Sequence, residues 1–220
     1  RVVHTEGEES VMLRGVDNNK DQTYFLCQLN QNQLNNSLFP IGELTKPEVR
    51  RIAEELDLPV AHKKDSTGIC FIGERDFREF LKNYIPAKSG KMVDIVSKKV
   101  IGEHQGIMYY TIGQRKGLGI GGNGEPWFVV GKDYDKNILY IAQGDSNKWL
   151  LSHGALITDV NWISATKPEG EYDCTAKFRY RQKDNDVSLH FIDETTLYVT
   201  FKKPIKAVTP GQAAVFYNGD

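Results

Sequence analysis

The sequence predicts an α+β protein: a helix-flanked loop early in the chain, a small mixed middle region, and an all-β final third. Three observations predict it. Thr45–Leu56 and Glu74–Tyr84 carry apolar residues at helical spacing. Short β-prone runs separated by turn residues begin at Lys91. After Leu150, apolar and polar residues alternate with period two. The 220 residues can bury one large core or two small ones, and 40% hydrophobic with 26% charged residues is ordinary globular composition. No run approaches the roughly 18 apolar residues of a membrane span, and no signal peptide opens the chain. A net charge of −1 gives no global basic footprint, so any nucleic-acid contact must come from local patches.

Arg1–His4 and Val11–Arg14 read as two short strands joined by a polar, glycine-containing turn. An opening inside a strand points to a fragment of a longer chain. Asp17-Asn18-Asn19 is turn chemistry, and Asp21 is placed to cap a helix beginning at Gln22. Lys20, Asp21 and Gln22 read locally as a solvated loop. Thr45 and Glu48 have capping-box spacing with Pro47 in the first turn; Val49, Ile52, Ala53 and Leu56 form one apolar face, and Pro59 ends the segment. The second helix aligns Phe77, Phe80, Leu81 and Tyr84, and Pro86 stops it.

Between these helices lies Lys63-Lys64-Asp65-Ser66-Thr67-Gly68-Ile69-Cys70-Phe71-Ile72-Gly73-Glu74. Two glycines around Cys70 suit a tight bend or a close approach. Lys63 and Lys64, folded back, would favour the thiolate. The alternative is a small buried hydrophobe between Ile69 and Phe71. The three cysteines, Cys27, Cys70 and Cys174, have no paired spacing, which argues against a disulfide framework or a metal site and fits a reducing cytoplasm. Cys27 and Cys174 both fall in apolar runs and read as core.

In the middle region, Met92–Ile95, Met108–Thr111, Trp127–Tyr134 and Asn137–Gln143 are β-prone, with Asp135-Lys136 as a two-residue hairpin turn. His104 beside Glu103 lacks a partner motif and reads as a surface or structural residue. Gly117-Leu118-Gly119-Ile120-Gly121-Gly122 has the wrong spacing for a dinucleotide fingerprint, and no periodic helix follows it. It reads as a loop carrying Arg115 and Lys116 toward a phosphate. Tyr172–Arg181 alternates, with Cys174, Ala176, Phe178 and Tyr180 on one face and Lys177, Arg179 and Arg181 on the other. Val187, Leu189, Phe191 and then Leu197, Val199, Phe201 alternate likewise, giving a small barrel or sandwich.

The runs LRGVDNNKDQTYFL, SLFPIGELTKPEVR, KKDSTGICFIGER, GEHQGIMYYTIGQRKGLGIGG, PWFVVGKD, KFRYRQ and TPGQAAVFYNG together resemble the tRNA-specific 2-thiouridylase family. The resemblance implies an enzyme that uses ATP, with magnesium, to adenylate C2 of the wobble uridine U34 in tRNA and replaces the activated oxygen with sulfur. It makes Cys70 the persulfide-carrying cysteine, loaded by a sulfur-relay protein or cysteine desulfurase. A second family cysteine then helps to release the sulfur. It makes Lys20, Asp21, Gln22, Arg179, Tyr180 and Gln212 contacts to tRNA. It implies a catalytic-domain remnant with the cysteine loop over 1–75 (helix 45–57 belonging with the next domain), a small central α/β domain over 76–149, and over 150–220 an antiparallel β-barrel like the second domain of elongation factor Tu. A cytoplasmic monomer is expected.

The chain departs from the family in lacking a Ser-Gly-Gly-x-Asp-Ser pyrophosphate loop and an Asp-x-x-Cys segment. The expectation is a carboxyl-terminal portion with no ATP or metal site of its own, inactive alone. A non-catalytic tRNA-binding module, with Cys70 structural, is the alternative reading.

Overall fold

The computed structural model describes residues 1–5, 7–65, 80–81, 83–164 and 167–219. Cys70, its surrounding loop and most of the expected second helix lie outside these residues. The chain divides into two units. One comprises Arg1–Asp65, Gly154–Lys203 and Gln212–Asp220; the other comprises Ser66–His153 and Pro204–Gly211.

In the first unit, β1 (Val2–Val3) and β2 (Val11–Met12) form the expected antiparallel hairpin, Val2 opposite Met12. A 3-10 turn follows at Thr23–Leu26. Its N-cap is Gln22 and not Asp21, because the Asp21 carboxylate is drawn inward to the Gly15 amide and the Thr23 hydroxyl. Helix α1 (Gln31–Asn35) carries a capping box between Asn30 and Gln33.

Helix α2 (Lys46–Glu55) starts as the sequence dictates. The Thr45 amide and hydroxyl both donate to the Glu48 carboxylate at 2.7 Å. It ends before Pro59: Asp57 takes a positive φ of 49°, and the Leu58 amide closes back on the Ala53 carbonyl at 2.9 Å. Its apolar face is only half covered, and Leu56 is exposed.

The final third supplies a five-stranded sheet. Its strands are β7 (Leu151–Ile157), β8 (Glu171–Lys177), β9 (Asn185–Phe191), β10 (Leu197–Lys206) and β11 (Val215–Tyr217), in spatial order β11-β8-β9-β10-β7. The pairs β8–β9, β9–β10 and β8–β11 are antiparallel. Ala176, Val187, Leu189, Leu197 and Val199 are buried, as their alternation requires. Strand β8 stops at Lys177. Phe178–Arg181 turns instead, held by the Gln182 side chain accepting from the Phe178 amide at 2.7 Å and by the Gln182 amide donating to Arg179 O at 3.0 Å. Arg179 and Arg181 therefore leave the strand row that alternation assigned them.

The second unit holds a four-stranded mixed sheet of β3 (Gly90–Asp94), β4 (Val100–His104), β5 (Trp127–Asp133) and β6 (Ile138–Gln143), in order β4-β3-β6-β5. β3 runs parallel to β6, and the other two pairs are antiparallel. The β5–β6 connection is Tyr134–Asn137, with Asp135 and Lys136 at its centre and Asn137 at φ 52°. It is two residues longer than expected because Asp133 and Ile138 are the last ladder pair.

Strand β4 was not predicted; its glycine and charged residues mask the pattern. The expected strand Met108–Thr111 is a 3-10 turn at Ile107–Tyr109, where Ile107 and Tyr110 both point into the core with Met92, Leu118, Val129, Leu139 and Ile141. His104 is fully buried, so its role is structural and not superficial. Nδ1 accepts from the Gly106 amide at 3.2 Å, so Nε2 carries the proton and donates to Asn137 O at 3.1 Å.

Candidate nucleic-acid interface

The loop Gly15–Leu26 is built by two aspartates. Asp17 accepts from the Asn19 amide and, with its other oxygen, from the Lys46 amide at the start of α2. Asp21 is 8% exposed and accepts from the Gly15 and Thr23 amides at 3.0 and 3.3 Å and from the Thr23 hydroxyl at 2.7 Å. Burial alone would raise its pKa; the Thr23 hydroxyl and the two amides outweigh burial, so the carboxylate titrates below its ordinary value. With its side chain used internally, Asp21 fixes its neighbours Lys20 and Gln22, both exposed.

Gln22 meets a residue 158 positions away in sequence. The Gln22 amide nitrogen donates to the Tyr180 hydroxyl at 2.8 Å. The Tyr180 ring lies 4.5 Å from Phe25 and 6.2 Å from Tyr24, centroid to centroid. Tyr24 donates from its hydroxyl to Ala213 O at 2.8 Å, which ties the Gln212-Ala213 segment to the same cluster. Beneath, the Arg14 guanidinium stacks 3.8 Å over the Tyr217 ring and pairs with Asp184 at 2.8 Å. Arg179, on the same turn as Tyr180, is half-buried, and that desolvation lowers its pKa without approaching neutrality. The structure thus gathers Lys20, Gln22, Tyr180 and the Gln212 segment in one unit. It places Asp21 under the loop and leaves Cys70 outside the described residues.

Two features were missed by sequence reasoning. Phe25 is 59% exposed although it stacks on Tyr180. The signal was the pair Tyr24-Phe25 in a loop, where two adjacent aromatics cannot both face inward. The second is a cation cluster. Asp65 receives Lys20 at 2.5 Å, Arg50 at 3.3 Å and Lys46 at 3.4 Å. The Lys20 hydrogen bond leads in lowering the Asp65 pKa to about 2. Three cations against one carboxylate leave local positive charge. Arg50 on α2 is thus tied to Asp65 beyond the end of its helix.

For both described cysteines, burial disfavours the nucleophilic thiolate. Burial raises the thiol pKa of Cys27 and pushes that of Cys174 up to about 11. Cations for phosphates, an exposed ring for a base face and a side-chain amide for base edges are the equipment of a single-stranded RNA contact.

Three family profiles match successive parts of the chain: a tRNA methyl transferase HUP domain over 1–74, a tRNA methyl transferase PRC-barrel domain over 78–143, and an aminomethyltransferase β-barrel domain over 152–220. The curated relatives include the tRNA-specific 2-thiouridylases MnmA of Bacillus cytotoxicus, 58% identical, and of Bacillus cereus and Bacillus thuringiensis, each 57% identical, in every case over all 220 residues. The chain belongs to the tRNA-specific 2-thiouridylase family. It spans 59% of the length of these relatives. The PRC-barrel profile covers the mixed sheet of the second unit, and the β-barrel profile covers β8–β11 and nearly all of β7. Among the described residues there is no group of three or more His, Cys, Asp or Glu able to hold a metal, and no helix is long and apolar enough to cross a membrane.

Proposed function

We propose that this chain serves the 2-thiolation of wobble uridine in tRNA, holding the tRNA on the Lys20–Gln22, Arg179–Tyr180 and Gln212 face and carrying sulfur on Cys70. The observation that carries the docking half is the Gln22–Tyr180 hydrogen bond within an aromatic cluster, which joins two distant sequence segments into one surface. Lys20 and Arg179 supply phosphate contacts, Gln22 and Gln212 supply amide groups for base or sugar edges, and Asp21 sets the geometry of the loop. Phe25 joins them as a stacking surface. Residues 1–75, 76–149 and 150–220 act as catalytic remnant, central domain and elongation-factor-like barrel in this reading.

The relatives' common name, at 57–58% identity, favours thiolation over the broader methyl transferase wording of two profiles. In the proposed step, the terminal sulfur of a Cys70 persulfide attacks C2 of the activated uridine. The leaving group departs with the former oxygen, and a second thiol then takes Cys70 into a disulfide, releasing thiouridine. Cysteine desulfurase or a relay protein reloads Cys70. Activation in the family draws on ATP; the described residues present no carboxylate cluster for its metal, and no step is assigned to ATP on this chain. The setting is the cytoplasm, and the working form a monomer on one tRNA.

The test is tRNA binding by filter retention at several salt concentrations. Arg179→Glu should weaken binding on the order of tenfold and flatten the salt dependence by about one ion. Unchanged affinity would remove Arg179 from the docking face.

A further inference from the structure

The glycine-rich stretch of the second unit is not used by the docking face, yet it lines a cavity of about 430 Å³. Its walls are Arg115, the loop Gly117–Gly122, Glu125, Pro126 and Trp127. The loop is pinned at both ends. At its start, Gln114 Oε1 accepts from the Thr111 amide at 3.0 Å, Gln114 Nε2 donates to Lys116 O at 2.9 Å, and the Gly113 and Val129 amides tie the loop to β5. At its end, Gln143 Nε2 donates to Asn123 O at 3.2 Å.

Leu118 is buried in the core, and Ile120 packs against that core; together they anchor the loop while Gly117, Gly119, Gly121 and Gly122 stay at the surface. Gly117 and Gly119 hold φ of 75° and 67°, a left-handed conformation that glycine adopts without strain. Among the described residues, no amide from Gly117 to Gly122 donates to another group of the chain. Arg115 and Lys116 are exposed, and neither forms an ion pair with a described carboxylate. Free amides, an unpaired guanidinium and an indole around one cavity call for an anion attached to a flat ring.

We propose that this cavity is a second RNA contact, which takes one phosphorylated nucleotide of the tRNA. The phosphate sits on the Gly117–Gly122 amides and the Arg115 guanidinium, and the base lies against Trp127. Glu125 is the single acidic residue of the lining, with Oε2 turned to Gly144, 2.7 Å from where a Cβ there would stand. A carboxylate in this position accepts from an exocyclic amine, which favours cytosine over uracil. The inference takes only its RNA source from the docking reading above and concerns separate residues.

The test follows the indole N–H resonance of Trp127 in the ¹⁵N-labelled 220-residue chain, assigned with Trp127→Phe, during titration with cytidine monophosphate. A saturable shift is expected, at least about tenfold weaker for cytidine or inorganic phosphate alone, and weakened by a similar factor in Arg115→Ala. Gly121→Leu is the blocking variant: a side chain there meets nothing within 4 Å, and its φ is not left-handed, so the fold and its melting temperature should hold while the shift disappears. No saturable shift overturns the inference, as does a response to inorganic phosphate or to magnesium ATP as strong as that to cytidine monophosphate. The titration contains no tRNA. Loss of tRNA binding in Arg179→Glu therefore bears on the docking face, and loss of the Trp127 response bears on this cavity.

Discussion

Asp65 shows how one side chain organises local charge. Lys20, Lys46 and Arg50 converge on it, and its folded pKa near 2 lies below the ordinary carboxylate value. A depressed carboxyl pKa contributes stability above the unfolded value near 3.8 and loses it as pH falls toward 2. The cluster should therefore survive at pH 4 and come apart only near pH 2. Carbon-detected NMR of the Asp65 carboxyl checks this: a midpoint near 2 is expected, moving up toward the ordinary value in Lys20→Ala.

The thiols make a second residue-scale prediction. With Cys174 at about 11 and Cys27 also raised by burial, brief iodoacetamide treatment at pH 7.5 should leave both unlabelled and mark Cys70. Peptide mass spectrometry reads the result. Equal labelling of Cys174 would contradict the burial argument. Phe25→Ala belongs at this scale too, with tRNA affinity expected to fall on the order of tenfold through lost stacking.

At the scale of elements, the second unit depends on one close approach. A Cβ on Gly90 would stand 2.3 Å from Asn137 O, a backbone atom, and 2.7 Å from His104 Nε2, at the point where β3 meets β4 and the β5–β6 turn. Gly90→Ala must push these apart and should cost about 2–3 kcal/mol, read as a lower urea midpoint. The same elements show what was legible in sequence. Helix α2 was, because the Thr45–Glu48 box acts within three residues. The buried alternation of β9 and β10 was, because a sheet with one covered face imposes period two. Strand β4 was not, since its partner β3 supplies the burial that its own residues do not advertise. Arg179 was assigned to a strand because alternation runs on to Arg181, whereas the Gln182 side chain bends the chain after Lys177.

For the whole molecule, the candidate site was legible as residue identities and not as a surface. Motif resemblance named Lys20, Gln22, Arg179, Tyr180 and Gln212, but nothing local predicts that Gln22 and Tyr180 touch across 158 residues. Nor could sequence separate Asp21, whose carboxylate is spent inside the loop, from its exposed neighbours. The Trp127 cavity likewise emerges only when the Gln114 and Gln143 clips hold the glycine loop open. In this account the first unit docks tRNA, the cavity of the second takes a nucleotide, and Cys70 delivers sulfur.

The most direct test of that last claim is intact-protein and peptide mass spectrometry after incubation with a cysteine desulfurase, free cysteine and a relay protein. The account predicts a gain of one sulfur atom, mapped to Cys70 and absent in Cys70→Ser. A donor shown competent on another acceptor that leaves Cys70 unmodified would contradict it and leave a tRNA-binding module.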